Sequence, residues 1–309
     1  MTKDLRIVFM GTPDFAVPTL QTLLEHQYNV VAVITAPDRP AGRGQKLHQS
    51  PVKEYAVAQH IPVLQPTNLK SEAFLEELSS YQANLQIIVA FRMLPEVVWA
   101  MPELGSFNIH GSLLPQYRGA APINWAIING EKETGVTSFF LKHEIDTGDM
   151  IFQERVPILE EDDFGSVYEK LKHEGARLAL RTVQAIERDE VQPQPQVVSA
   201  ETKHAPKIYK ETCEINWNLT ARQVRDFIRG LSPYPAAWTR INGKAFKIFK
   251  TEPLHDTAYD IAPGQIHTDN KTFLHVQTAA GAIAVLDLQM EGKKRMPVQD
   301  LLRGYSFTG

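Results

Sequence analysis

Asn108, His110 and a carboxylate from the cluster Asp146-Thr147-Gly148-Asp149 carry side-chain types that suit acyl transfer to an amine. Such a transfer builds negative charge on a carbonyl oxygen, which needs hydrogen-bond donors aimed at it, and it releases an amine proton that needs a route away. An amide donates without charge, an imidazole donates or carries a proton, and a carboxylate can hold the imidazole in one orientation. None of the three needs to be a nucleophile. Asn108 and His110 belong to the run Asn108-Ile109-His110-Gly111-Ser112-Leu113-Leu114-Pro115, followed by Tyr117-Arg118-Gly119-Ala120-Ala121-Pro122. Two residues apart, they face the same side of an extended strand. Gly111 and Pro115 then turn the chain out of that strand at its C-terminal end, the edge at which open α/β sheets form their ligand crevice. Asp146-Thr147-Gly148-Asp149, beginning 36 residues after His110, can return a carboxylate to that edge. A histidine at a strand end is more often structural, and Asp-Thr-Gly alone is more often only a turn; the combination favours a site.

The elements that must hold these residues alternate. Leu5 to Met10 reads as a buried strand closed by Gly11-Thr12-Pro13-Asp14, with a helix from Phe15 to His26 and a second strand from Val30 to Thr35. Helical patterns follow at Val52 to His60 and Ser71 to Tyr81, and Leu85 to Phe91 is an apolar run of the kind found in parallel sheets covered on both faces. Ser106 to His110 is a further strand, Ala121 to Asn129 a helix, Gly135 to Leu141 and Met150 to Val156 β-rich, and Phe164 to Arg188 a long amphipathic helix. Strands alternating with helices define an α/β doubly wound domain. The stretch from Ala36 to Ser50, with two prolines, two glycines and the cations Arg39, Arg43 and Lys46, reads as a long mobile loop without helix or strand. Gln192-Pro193-Gln194-Pro195-Gln196 breaks every periodic pattern and marks a boundary. Beyond it, a helix at Ala221 to Gly230 and short alternating strands, with a Trp238 to Lys250 hairpin turning at Asn242-Gly243, suggest a small β-barrel. The domains are thus expected at 1–189 and 208–309, with a linker over 190–207.

Composition narrows the classes. The chain has 309 residues, 43% hydrophobic and 22% charged, which excludes disordered and collagen-like architectures. No apolar run approaches the roughly 20 residues that span a bilayer, and no leader-like segment precedes the first strand, so a cytoplasmic protein without a membrane partner is expected. Cys213 is the only cysteine, and His143 and His173 lack partners at ligand spacing, so neither a disulfide nor a metal is expected. No Gly-x-Gly-x-x-Gly follows the first strand, which argues against a nicotinamide cofactor. The net charge of -4 hides an asymmetry: residues 1–204 hold 18 Lys and Arg against 26 Asp and Glu, whereas residues 205–309 hold 14 against 10. A basic second part hints at a polyanionic partner.

Taken together, Phe9-Met10-Gly11-Thr12-Pro13-Asp14-Phe15, the HGSLLPQYRGAAPINWAI segment from His110, Thr134 to Thr137 and Asp146 to Met150 resemble the 10-formyltetrahydrofolate-dependent formyltransferases along almost the whole chain. The resemblance implies a Rossmann-like formyltransferase domain followed by a C-terminal β-barrel resembling an OB fold. It implies a catalytic trio of Asn108, His110 and Asp146, and 10-formyltetrahydrofolate as co-substrate. Folate would be met by Ser112, Leu113, Leu114 and Pro115 and by a pterin pocket lined by Phe91, Arg92, Met93 and Leu94. The family often carries Tyr-Gly where this chain has Phe91-Arg92.

The branches of the family differ in acceptor. The glycinamide ribonucleotide branch carries a Gly- and Ser-rich phosphate loop where this chain has Gly11-Thr12-Pro13-Asp14, and the amino-sugar nucleotide branch shares the HGSLLP segment, which therefore decides nothing. Pro37-Asp38-Arg39-Pro40-Ala41-Gly42-Arg43-Gly44 with Lys46 resembles the loop with which the branch acting on initiator methionyl-tRNA enters the acceptor stem. Cations answer phosphate there, and glycine permits close approach. The resemblance implies RNA contacts at Arg39, Arg43, Lys46 and Lys207, with translation initiation as the setting and a monomer as the working form. Arg222, Arg225, Arg229, Lys244, Lys247, Lys250 and Lys293-Lys294-Arg295 are further candidate phosphate contacts. Trp125, Trp217 and Trp238 read as packing residues.

Overall fold

Leu85 to Val89 is buried at every position, as a strand in the middle of a two-faced sheet must be. In the computed structural model, which describes residues 2–41 and 46–307, it is one of seven strands in a single sheet. The strands of this part of the chain are β1 (Arg6–Gly11), β2 (Asn29–Ile34), β3 (Arg39–Ala41), β4 (Lys46–His48), β5 (Val63–Leu64), β6 (Leu85–Val89), β7 (Ser106–His110), β8 (Arg118–Gly119), β9 (Glu133–Phe140) and β10 (Met150–Pro157). The large sheet has the order β10-β9-β7-β6-β1-β2-β5. Its central pairs are parallel, while β9 runs antiparallel to β7. Parallel alignment brings the C-terminal ends of β5, β2, β1, β6 and β7 to one edge, so the segments after all five strands share it.

The helices are α1 (Val17–Glu25), α2 (Pro51–Ala58), α3 (Glu72–Ser80), α4 (Glu96–Trp99), α5 (Pro122–Ile128), α6 (Phe164–Glu187), α7 (Ala221–Leu231) and α8 (Val298–Leu302). Ser50 caps α2 by accepting from the Lys53 amide at 3.1 Å, with Pro51 at the first helical position, where a missing N–H costs nothing. Val8, Met10, Ile34 and Ile88 of the sheet pack with Phe74, Leu78 and Val98 in one apolar cluster.

The Ala36 to Ser50 stretch departs from the strandless loop expected of it. Arg39–Ala41 pairs antiparallel with Lys46–His48, Pro40 lying opposite Leu47. The two strands form a ribbon of their own, so a residue without an N–H can face an open edge. Gly42 to Gln45, including Arg43, lie outside the described residues.

The chain divides into two compact units. The first is 1–119, 134–156 and 168–204; the second is 120–133, 157–167 and 205–309, so it draws two segments from the stretch that precedes β11 (His204–Ala205). After β11, the second unit carries β12 (Ala237–Ile241), β13 (Lys244–Leu254), β14 (Ile266–Thr268), β15 (Leu274–Gln277), β16 (Ala282–Met290) and β17 (Met296–Pro297). They form a curled antiparallel sheet in the order β12-β13-β16-β15-β14, with β17 on β16, a half-barrel of the OB kind. Bulges near Lys250 on the long β13 help bend it. The hairpin between β12 and β13 turns at Asn242-Gly243, both at positive φ, as a tight two-residue turn demands. Val224, Ile228 and Leu231 of α7 join Phe246, Ile248, Val276 and Val285 in the core, and Trp217 and Trp238 pack against it.

Thr220 and Gln223 close a reciprocal capping box at the start of α7. At its other end Asn124 of α5 donates to the Gly230 carbonyl at 2.8 Å. Only glycine fits there, since a Cβ on residue 230 would lie 2.6 Å from Ile128. Arg229, read from sequence as a phosphate contact, is buried instead, bonded to Asp226 at 2.7 Å and to the carbonyls of Leu159 and Asp162 at 3.0 Å. A helix repeat that looks basic in sequence has turned one of its arginines inward, where the charge is paired. Among the described residues no helix is long and apolar enough to cross a membrane.

Candidate active site

Asn108 and His110 lie in β7, opposite Phe139 and Thr137 of β9. The His110 side chain is buried, and its Nε2 is 2.9 Å from the Tyr117 carbonyl oxygen, so that nitrogen donates. Its Nδ1 faces Asp146 Oδ2 at 3.8 Å, beyond a direct hydrogen bond. The Nε2 bond fixes the ring with Nδ1 toward the carboxylate. Asn108 Oδ1 is buried and has no hydrogen-bond partner among the described residues, an arrangement that costs about 1–3 kcal/mol in a core unless a bound group completes it.

Asp146 is positioned by two contacts from distant parts of the first unit, and a third holds Gly148 two residues on. Its Oδ2 accepts from the Gly119 amide at 3.0 Å, and Gln196 Nε2 donates to the carbonyls of Asp146 and Gly148, each at 2.8 Å. Asp146 takes a φ of 55°, a left-handed conformation that aspartate tolerates better than most residues. Gly148 runs so close to β9 that a Cβ would lie 1.6 Å from the Phe140 carbonyl oxygen. Gln196 is itself fixed, its Oε1 accepting from Arg118 Nε at 3.0 Å and Nη2 at 2.7 Å. Gln194 exchanges backbone hydrogen bonds of 2.8 Å with Met150.

The loop after His110 is held by the neighbouring strands. Thr137 Oγ1 donates to the Ser112 carbonyl at 2.7 Å and accepts from the Leu114 amide at 3.1 Å, while Gln153 Nε2 donates to the Leu114 carbonyl at 2.8 Å. Ser112 Oγ turns inward to the Gln116 carbonyl at 2.6 Å, so its hydroxyl shapes the loop from within. Leu113 and Pro115 are half-buried and Leu114 is buried. Phe91 to Leu94 leave the end of β6 at the same sheet edge, with Leu94 buried and Met93 74% exposed. Arg92 donates to the carbonyls of Thr67 and Pro66. At the end of β1, Asp14 accepts from Tyr168 at 2.7 Å and from Lys172 at 3.3 Å. Burial, and then this bond to a carboxylate, push the Tyr168 hydroxyl well above its ordinary value and keep it a donor.

Of the proposed RNA contacts, Arg39 is exposed on β3, Lys46 begins β4, and Lys207 is exposed with its ammonium 5.4 Å from the Tyr209 ring. Thr137, Gln153, Gly119 and Gln196 escape a reading of the sequence as site-forming residues. Thr137 and Gly119 stand within segments that the family resemblance marks; Gln196 carries no signal except that alternate residues of an extended Gln-Pro repeat face one way.

Comparison with known proteins completes the picture. The formyl transferase family pattern matches residues 5–183, and that of the formyl transferase C-terminal domain matches residues 207–306. The chain belongs to the formyl transferase family. Within it, the chain is 57% identical to methionyl-tRNA formyltransferase of Bacteroides fragilis, over 99% of this chain and 97% of that one. Among solved structures it resembles the N-formyltransferase of Helicobacter canadensis in complex with folinic acid and dTDP-3-aminofucose, with a TM-score of 0.66, 21% identity and coverage of 93% and 99%. It also resembles HypX of Aquifex aeolicus in complex with tetrahydrofolic acid, with a TM-score of 0.65 and 20% identity over 97% of this chain and 47% of that one. The chain spans about half the length of that last protein.

Proposed function

We propose that this chain transfers the formyl group of 10-formyltetrahydrofolate to the α-amino group of methionine on initiator methionyl-tRNA, as a cytoplasmic monomer serving translation initiation. The observation that carries the mechanism is the buried Asn108 Oδ1, without a partner among the described residues, two positions along β7 from the His110 that faces Asp146. A polar atom so placed suits a substrate group that completes its hydrogen bonding. The co-substrate supplies the formyl carbon and, as it leaves, a nitrogen that takes up a proton. Phe91 to Leu94 and Ser112 to Pro115 are the segments that would hold it.

The acceptor amine is the nucleophile, and an α-amino group, with an ordinary pKa of about 7.7–8.0, has a neutral fraction at physiological pH. Asn108 donates through its amide to the oxygen on which charge develops and accepts from the amine N–H through Oδ1. His110 provides the second donor when Nε2–H turns from the Tyr117 carbonyl to that oxygen. Asp146 offsets the charge of an imidazolium and starts the path by which the amine proton reaches water. Arg39, Arg43, Lys46 and Lys207 meet the RNA. The basic composition of residues 205–309 and the 57% identity to a methionyl-tRNA formyltransferase support this acceptor over an amino-sugar nucleotide.

The deciding experiment incubates the protein with labelled 10-formyltetrahydrofolate and separately charged initiator and elongator methionyl-tRNA. Label should enter the initiator species preferentially. Transfer only to an amino-sugar nucleotide would overturn the acceptor, and single-turnover inactivity on every amine would overturn the chemistry.

A further inference from the structure

The segment between β2 and α2 and the segment after β6 are tied to one another through the loop after β5. We propose that Arg92 is a positioning residue that makes binding at one of these segments depend on binding at the other. The proposal rests on the reading above, in which Phe91 to Leu94 face folate and Arg39 and Lys46 face RNA.

On the RNA side, Thr35 Oγ1 and Ser50 Oγ lie 2.7 Å apart and close the neck of the β3–β4 hairpin. Asp38, next to Arg39, accepts from Lys53 Nζ at 2.5 Å through Oδ2 and from Gln65 Nε2 at 2.7 Å through Oδ1. The same Gln65 nitrogen donates to the Ala36 carbonyl at 2.8 Å. One carboxamide thus grips both the backbone and a side chain at the root of the hairpin. These bonds, that from Lys53 foremost, hold the Asp38 carboxyl below its ordinary value and keep it an acceptor.

On the folate side, Pro66 and Thr67 follow Gln65 directly, and their carbonyls receive the two ends of the Arg92 guanidinium, with Nη1 at 3.1 Å from Thr67 O and Nη2 on Pro66 O. The guanidinium carbon stands 5.7 Å from the Phe91 ring centroid. A planar fork can reach two adjacent carbonyls at once, whereas an ammonium cannot hold both in one geometry. The route from Arg39 to Phe91 therefore runs through Asp38, Gln65, two carbonyls and Arg92. It contains one residue on each side of the loop whose side chain can be deleted separately.

The test measures the affinity of the full-length protein for initiator methionyl-tRNA with and without saturating 5-formyltetrahydrofolate. For the unmodified protein, folate should tighten RNA binding about fivefold or more, the lower end of ordinary coupling between sites. Arg92→Ala and Gln65→Ala should each bring that ratio to within about twofold of one, and the double variant should match the singles because both break one chain. Gln65→Ala leaves the carbonyl partners of Arg92 in place, so the test stands even where Arg92→Ala fails to fold. A ratio of one in the unmodified protein, or single variants that keep its ratio, would overturn the proposal. Formylation by the unmodified protein is followed in parallel: activity on initiator methionyl-tRNA with a ratio of one defeats the coupling alone, whereas absence of both binding and formylation defeats the functional reading and the coupling with it.

Discussion

Gln196 spans 50 residues to place one side-chain nitrogen 2.8 Å from the carbonyl oxygen of Asp146. The turn that presents the carboxylate to His110 is therefore held by a residue from the proline-rich stretch. Gln196→Leu should loosen Asp146 without touching any reacting group. The expected outcome is a fall in the single-turnover rate of about tenfold, with folate affinity close to normal. A rate equal to the parent would mean that Gly119 and Gly148 suffice to hold the turn.

His110→Ala and Asn108→Ala each delete a proposed donor to the developing oxyanion. Each should lower the chemical step by on the order of 10²–10³ while leaving RNA affinity nearly unchanged. Rapid-quench kinetics on charged initiator tRNA would read this directly, and near-normal rates in both variants would remove the assigned mechanism.

Gly148→Ala carries a steric prediction. A Cβ at 1.6 Å from the Phe140 carbonyl oxygen cannot be accommodated without parting the Asp146 turn from β9. Thermal unfolding should show a loss of several degrees, because a displaced backbone segment costs more than about 1 kcal/mol. Activity should fall further than stability alone explains.

Glu160 gives a pH signature. Hydrogen bonds from Lys132 and then Arg225 hold its carboxyl down at about 2, below the ordinary 4.5. A depressed carboxylate contributes stability that is fully present above the unfolded value and is lost as pH falls from about 4.5 through about 2. Its side chain is 60% exposed, so solvent screens the pairs and the contribution is small. Urea denaturation of Glu160→Gln and the parent should differ at pH 6 and converge toward pH 2, with added salt narrowing the gap.

Lys293 and Lys294 are exposed and make no ion pair among the described residues, unlike Arg295, which is bonded to Asp287 at 2.7 and 2.8 Å. Replacing both lysines with alanine should reduce the dependence of RNA affinity on salt by about one logarithmic unit of slope for each phosphate that a lysine had neutralised. An unchanged slope would show that this turn stays clear of the phosphates.

How much of this is legible in the sequence follows from the range of each interaction. β7 is legible because strand periodicity and the glycine and proline that end it are local, and the β12–β13 hairpin because Asn242-Gly243 specifies its own turn. The β3–β4 ribbon escapes because two prolines and two glycines argue against strands in a sheet interior, and this ribbon has none. Arg229 misleads because a basic helix face does not announce which arginine has a buried aspartate three residues away. Asp146 can be nominated from its type, but its approach to His110 depends on Gly119 and Gln196, respectively 27 and 50 residues away, and no local pattern encodes such partners.

The bond from Asn124 to Gly230 has a temporal side. A polypeptide leaves the ribosome from its N-terminus, at roughly 5–20 residues per second, so the 106 residues between these partners mean a wait of roughly 5–20 s. For about that long, α5 is outside the exit tunnel while the helix it will pack on has not yet emerged. Ile123 and Ile127, both buried in the finished protein, stay exposed on the nascent chain, where holdase chaperones have their opportunity. Slow codons between residues 133 and 220 would lengthen this vulnerable period, and fast ones would shorten it.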